Sequence, residues 1–580
     1  MRKLTALWIS TITCATVLPM CLSAQIAGGS TTGSGPVTYY IDYAKGSDHN
    51  AGTSKTAPWK LAPGMVGFAG AYTHKAGDRF VFKGGVTWPK AALPLNIRYS
   101  GVAGAVDVYG GEDQSWHSGR TWSQPIFDGQ QLSKPGGWLI GDNARLRSFI
   151  KIDNLLVRNS GNAVTGVHDG LSGANDLTDA TKNWTSNEWV GRYLYDTTDG
   201  SQCKVTLSTT MTAVCTLAGG AKNIWTPGDA YVITDGSGTA ISFSGGGSNI
   251  EVSGCTLQPR SVQAFSYADS YLPQGQNSGH IYFHDNKISL GGRMVVYGYT
   301  GHVVDDVQIY RNKMQGAGTT PLGGYHLDGL MIGNPSTKDC VSTLTPTVTN
   351  ILFHDNYLYG SWPGSPTALY FSNSCTDYTF IYNNVFAIEA VEKTPVGFMM
   401  RWQAHDGDIS IYNNTMSVDA NPGMGANARA AILISDTYAP MFGTLDIENN
   451  IFSGFGEGIE GSNFGQFSSV TIDYDLFNPS KAHGYGDILY VSGSGKLRCA
   501  TLVCAQAKGL EMHAPPMGAP QFTTVPNGKV GSGDFHPTAV SPALRTGVNL
   551  YSVFTTDLDN EPRPSDGVWD IGALGAAAQP

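Results

Sequence analysis

The chain is poor in charge. Asp, Glu, Lys and Arg make up 14% of it, and 36 basic residues face 46 acidic ones for a net charge of −10. Nucleic acid binding needs a basic footprint, so that class of partner is excluded. Past residue 24 no stretch approaches the ~20 consecutive apolar residues of a membrane span, which excludes a helical membrane-spanning body. Between its strand-like segments there is no room for crossover helices, so a doubly wound α/β fold is excluded as well. What the chain does have is 73 Gly and 27 Tyr, a composition suited to a stacked, turn-rich β protein.

The organising pattern is the segment 281–286, Ile-Tyr-Phe-His-Asp-Asn, whose near-copies end at Asn312, Asn356, Asn384, Asn414 and Asn450. In each copy two apolar residues alternate with polar ones before the Asn, as in Val307 and Ile309 or Ile409 and Ile411. Alternation at period two marks a strand with one buried face. An apolar residue also follows two places after each Asn: Ile288, Met314, Leu358, Phe386, Met416 and Phe452. Recurrence at 26, 44, 28, 30 and 36 residues marks a solenoid whose coils differ by loop insertions. A second strand per coil is expected at 241–243, 295–297, 330–332, 369–371, 398–402 and 432–434. Asn tolerates left-handed backbone and its amide both donates and accepts, so the repeated Asn is expected to take that conformation and to form a ladder along the stack. With these features the chain resembles the right-handed parallel β-helix proteins of the pectate lyase-like superfamily. The fold class implied is all-β, a right-handed parallel β-helix with N- and C-terminal caps and a small inserted β module.

Arg2 and Lys3 precede an interrupted apolar run, and Leu22-Ser23-Ala24 offers the small residues of a cleavage site, so residues 1–24 read as a signal peptide. Residues 25–38 read as a Gly/Ser/Thr-rich linker. Residues 39–177 are expected to hold an N-terminal cap and the first coils. The cap resembles the opening of secreted bacterial β-helix proteins at Tyr39-Tyr40-Ile41-Asp42, Gly46-Ser47-Asp48 and Pro58-Trp59. Asp42, Asp48 and Asn50 could hold a cation, but turn-forming roles explain them more simply. Residues 178–235, punctuated by Trp184, Trp189 and Trp225, resemble a β module inserted in other such proteins. There 204–207 and 213–217 read as paired strands that Cys203 and Cys215 could staple. Residues 236–478 carry the remaining coils, and 479–580 resemble a closing cap. Seven Cys outside the leader suit disulfides in an oxidising compartment. Cys255 stands at the ladder position as a buried thiol, Cys340 with Cys375 and Cys499 with Cys504 are plausible bridges, and secretion or periplasmic export is expected.

The segment 325–332, Tyr-His-Leu-Asp-Gly-Leu-Met-Ile, looks like the Asn-Thr-Asp-Gly motif of pectin-hydrolysing glycoside hydrolases, with Asp328 at the catalytic Asp and His326 at the Asn. Met331 stands where that motif has its second Asp, and no acidic pair follows in the next coil. The plain alternative is that Asp328-Gly329 simply forms a turn. Arg293 occupies the matching place one coil earlier, where a cation would lower the Asp328 pKa. Two coils on, Arg401 and Gln403 are expected to point outward with His405 and Asp406 at the strand's end. The expectation is therefore a monomeric, secreted enzyme that binds a polysaccharide or oligosaccharide along a groove. Asp328, His326 and Arg293 would be its catalytic residues, and Arg401, Gln403, His405 and Asp406 would bind substrate. Glycoside hydrolysis leads, with uronate β-elimination, for which Ca2+ is a possible cofactor, as the alternative. A non-catalytic glycan-binding or surface structural protein is the competing class. No resident metal is assigned.

Overall fold

A computed structural model describes residues 35–576 except 131–136, 162, 219, 235–237, 260, 262, 290–291, 317–327, 334–346, 361–367, 373–375, 389–397, 403–404, 419–428, 436–440, 482–484, 494–495, 526–530 and 532. The leader, most of the linker, and Cys340 and Cys375 lie outside them. The chain divides into a leading unit, Met1–Gly35, and a main unit, Pro36–Pro580.

The body of the main unit is a right-handed parallel β-helix. Among the described residues twelve strands, from Thr38–Ile41 to Ser469–Asp473, form a first sheet. Eleven short strands, from Thr87–Pro89 to Leu476–Asn478, form a second, and twelve, from Leu95–Asn96 to Leu497–Cys499, a third. Each full coil thus has three strands where the sequence pattern suggests two. The extra one follows the Asn directly, as in Lys313–Gln315 and Val385–Ile388. Its inward residues, Met314 in the first and Phe386 with Ile388 in the second, are buried, and where there is only one it reads in sequence as an isolated apolar residue. The expected second strands all lie in the third sheet.

The inward rows keep register from coil to coil. Val307 lies over Ile351, and Ile309 over Phe353, Ile381, Ile411 and Ile447 in turn. All are essentially fully buried, and burial of each is worth about 1.5–3 kcal/mol. At the bend between the first and second sheets the Asn side chains form the expected ladder. Asn356 shows its unit: its backbone N–H and its Nδ2 both donate to Asn384 Oδ1 (2.9 and 3.0 Å), and Nδ2 also donates to Ile309 O of the preceding coil (2.8 Å). The same pattern links Asn286, Asn312, Asn384, Asn414 and Asn450. At the start, Cys255 is buried and its N–H donates to Asn286 Oδ1.

One expectation is corrected. The left-handed residue at this bend is not the ladder Asn but the one before it: Asp285, Arg311, Asp355, Asn383, Asn413 and Asn449, with φ of 49 to 62°. The ladder position selects Asn for its amide, and the preceding position selects residues that tolerate positive φ.

At the N-terminal end Thr38–Ile41 joins the first sheet beside Arg79–Phe82. Trp59 is buried there and stacks on Tyr39 (ring centroids 4.4 Å apart). Asp42, Asp48 and Asn50 serve turns: Asp42 accepts from the Ala44 and Lys45 N–H groups, Asp48 from Lys60 and Leu61, and Asn50 Nδ2 donates to Pro58 O. Between Ala163 and Thr234 the chain leaves the coils and builds two antiparallel sheets. Gln202–Lys204 pairs with Tyr193–Asp196, and Leu207–Ser208 with Thr212–Val214. The hairpin expected from 204–207 and 213–217 is present, with Leu207 opposite Val214 and a further bridge from Gln202 to Ala218, and the pairing with Tyr193–Asp196 is additional. Cys203 and Cys215 are bonded, and Trp184, Trp189 and Trp225 fill the core of this module.

The last part of the chain has two tasks. Cys499 and Ala505, with Leu497, Leu502 and Leu510 packed beside them, close the end of the coil core, and Cys499 is bonded to Cys504. Residues 547–573 instead run along the side of earlier coils. There Asn383 Nδ2 donates to Thr556 O, Asn413 Nδ2 to Asp570 O and Asn449 Nδ2 to Val548 O. Arg563 Nη2 donates to Asn383 Oδ1 (3.0 Å), and Phe554 stacks on Tyr382.

Candidate active site

Two outward faces could meet a polymer. On the first sheet His284, Tyr310, His354 and Tyr382 stack ring on ring along the coil axis, with planes within 6°. Their faces are spent on one another, so this stripe offers edges rather than the ring faces on which a sugar stacks. The Trp residues of the inserted module are buried in its own core and offer no platform either.

The third sheet differs. Strand register places Val295, Met331, Tyr370, Arg401, Leu433, Glu460, Tyr490 and Arg498 in one outward row. At one end Arg293 precedes Met294, which pairs with Leu330, and Asp328 lies two residues before Leu330. Both are buried, at 7% and 1% exposure, and both act on the Tyr297 phenol. Burial raises the Tyr297 pKa, Arg293 lowers it and Asp328 raises it further. Arg293 Nη1 and Tyr297 O–H both point at Met331 Sδ (3.3 and 3.7 Å). In mid-row the Arg401 guanidinium lies 5.4 Å from the Tyr370 ring centre. Of the other candidates, His326 and Gln403 lie outside the described residues, and for His405 and Asp406 only the backbone is described, as a short strand paired with Met441–Phe442.

At the far end stands a group that the repeat pattern does not single out. Arg429 Nη2 binds Glu460 Oε1 at 2.6 Å while its Nε lies 3.9 Å from Glu457 Oε2. Arg498 binds Asp487 at 2.7 Å, lies 3.9 Å from Glu457 Oε1, and stacks on Tyr485 (3.6 Å) and Tyr490 (4.8 Å). Burial, then the Glu460 charge, push the Glu457 pKa up to about 7, with Arg429 and Arg498 opposing. Glu460 is also raised by burial, but Arg429 holds it back. The sequence signal was present in Gly456-Glu457-Gly458-Ile459-Glu460-Gly461, two acids within one apolar strand.

Spacing separates the two ends. The coils of Asp328 and Glu457 are four strand steps apart, about 19 Å at ~4.8 Å per step, so they cannot act on the same bond. Among the described residues no group of three or more His, Cys, Asp or Glu is placed to hold a metal ion, and no helix is long and apolar enough to cross a membrane.

No family model matches the sequence, and no curated protein matches it. Similar solved structures include a GH136 lacto-N-biosidase from Eubacterium ramulus (TM-score 0.39, 9% identity), matched over 77% of this chain and 65% of that one, so this chain spans under two thirds of its length. Pectate lyase Pel9A is matched over 94% of this chain and 97% of that one (TM-score 0.32, 12% identity). A mannuronic acid specific polysaccharide family 6 lyase from human gut microbiota is matched over 73% and 72% (TM-score 0.33, 12% identity).

Proposed function

We propose that the protein is an exported, monomeric enzyme that cleaves a polysaccharide lying along the third sheet, by glycoside hydrolysis. The observation that carries this reading is the in-register outward row in which Tyr370, Arg401, Leu433, Glu460, Tyr490 and Arg498 follow one another at the strand spacing. Such a row offers a linear polymer ring faces, cations and carboxyls in sequence. The bonded cysteine pairs 203–215 and 499–504 support an oxidising compartment.

Within this reading Asp328, with Arg293 and His326, is one candidate centre, and Arg401, Gln403, His405 and Asp406 bind substrate. Hydrolysis is preferred to β-elimination because it needs two carboxyl groups within roughly 5 to 9.5 Å. The elimination alternative rests on Arg293 and Arg401 as cations for a uronate, with Ca2+ as its possible cofactor. Incubation with polygalacturonate, alginate, xylan and mixed-linkage β-glucan tests the reading. New reducing ends without ultraviolet absorbance at an unsaturated uronate are expected. That absorbance would select the lyase, and binding without product on every glycan would select a non-catalytic role.

A further inference from the structure

The far end of the row contains two carboxyls whose environment a purely structural salt bridge does not explain. Glu457 and Glu460 are 1% and 4% exposed. Glu460 Oε1 is bound by Arg429, and Glu457 Oε1 faces Arg498 at 3.9 Å. Glu457 Oε2, 3.9 Å from Arg429 Nε, and Glu460 Oε2 are buried and among the described residues accept no hydrogen bond. A buried carboxylate oxygen without a donor costs about 1–3 kcal/mol or more, and native proteins keep such groups where a ligand or reaction uses them. Here two occur three residues apart, beside one guanidinium.

The local backbone brings them together. In a regular strand residues three apart face opposite sides. At Gly458, however, a Cβ would come within 2.6 Å of the Phe477 ring and 2.7 Å of Ile488 O. Gly458 therefore faces the core, as does buried Ile459 beside it, and Glu457 and Glu460 on either side of these two both meet Arg429. Because a single guanidinium spans both, their carboxyls fall below the roughly 9.5 Å limit for a pair acting on one glycosidic bond. Arg429 is itself half exposed and Tyr485 stands in solvent at 67% exposure. The pair therefore lies one side chain beneath the surface, and an outward swing of Arg429 would uncover it.

We propose that Glu457 and Glu460 are the acid and base of glycan hydrolysis, an assignment that rests on the glycan-cleaving reading above. Glu457 gives its proton to the leaving glycosidic oxygen as the bond from the anomeric carbon to that oxygen breaks. Glu460 takes a proton from the water whose oxygen bonds to the same carbon. Each turnover leaves Glu457 ionised and Glu460 protonated, and solvent restores both. The protonation of Glu457 near neutrality supports the division of roles, since an acid works best with a pKa near the working pH.

The test uses the full-length protein and whichever polysaccharide of the panel it cleaves, together with a dinitrophenyl glycoside of the released sugar, whose leaving group needs no protonation. Glu457→Gln should lose ~10² or more in kcat on the polysaccharide, keep most of its rate on the dinitrophenyl glycoside, and lose the alkaline limb of the pH profile near 7. Glu460→Gln should lose both activities. Circular dichroism and the unfolding midpoint establish that each variant is folded. Should a variant not fold, Glu457→Asp and Glu460→Asp, which keep the charge and shift the carboxyl, should cut kcat with little change in KM. Full activity in folded Glu457→Gln or Glu460→Gln, with the parent still cleaving, overturns the assignment and leaves the enzyme reading intact. A parent that cleaves nothing overturns both.

Discussion

Replacing Asn356 with Ala measures what the ladder contributes. Asn356 sits mid-stack and is fully buried. Three amide donations end with the substitution, to Asn384 Oδ1 (3.0 Å), Ile309 O (2.8 Å) and His354 O (2.9 Å). The Asn312 N–H, now 3.0 Å from Asn356 Oδ1, loses its acceptor, and Asn312 Nδ2 loses the same oxygen at 3.0 Å but keeps Phe283 O and Tyr310 O. Three hydrogen bonds at about 1 kcal/mol each and one orphaned buried donor at about 1–3 sum to a loss of roughly 4 to 6 kcal/mol. Urea unfolding followed by circular dichroism should show this as a lower midpoint at unchanged slope. Asn356→Asp should do no better than Ala, since it keeps the acceptor but turns a second oxygen toward three others. A loss below about 1 kcal/mol in Asn356→Ala would refute the view that the ladder stabilises the stack.

Single contacts elsewhere carry their own expected outcomes. The ladder ends on Asp475, whose Oδ1 accepts from the Asn450 N–H (2.6 Å) and Nδ2 (3.0 Å), while its own N–H donates to buried Glu511. Burial raises both carboxyls, and the Glu511 charge raises Asp475 further. Glu511 is pushed up to about 8, with its hydrogen bonds to Asp475 opposing and the Asp473 and Glu448 charges adding to the effect. A carboxyl raised from an ordinary ~4.3 holds an extra proton in the native state between those values, so stability falls as pH rises across that window. Asp475→Asn carries the ladder on with no proton to lose. It should be more stable than the parent above about pH 8 and flatter in pH dependence, and superimposable thermal melts would contradict this. Burial pushes the Cys255 thiol up to about 12, so peptide mapping after treatment with a thiol reagent should find Cys255 unmodified until the protein unfolds. Arg563→Met removes donations to Asn383 Oδ1 (3.0 Å) and Gly572 O (2.9 Å) and should cost roughly 2–4 kcal/mol. Limited proteolysis should then cut first within 547–573, and an unchanged digestion pattern would mean that Arg563 does not hold this segment.

The first sheet and the ladder were legible in sequence because both obey a short period: alternation before the Asn, and the Asn itself once per coil. The second sheet was not, because strands of two to four residues place only one or two side chains inside and leave too little alternation to detect. Doubled Asn at 383–384, 413–414 and 449–450 marks where the C-terminal segment docks. In sequence it looks like the same repeat, since only the folded corner gives the two Asn different partners. Glu457 and Glu460 were missed because period-two reasoning puts residues three apart on opposite faces, and two successive core-facing residues, Gly458 and Ile459, cancel that rule. Asp328 and Arg293 were legible as lying on adjacent coils, but pairing of Met294 with Leu330 sets Arg293 one place off, beside Gly329. Their burial was not legible, because it depends on what surrounds that corner in space.

The side-docked C-terminal segment also sets an order of events. Arg563 reaches back to Asn383, 180 residues earlier in the chain, so a contact that fastens the middle coils is made by residues synthesised long after them. Coils can stack as they emerge, since each needs only its neighbour. The clasp across them closes only once residues 547–573 have been added. Until then the corners of Asn383, Asn413 and Asn449 have their side amides turned to solvent, and a chain stopped short of residue 547 would carry a complete stack that has never been fastened.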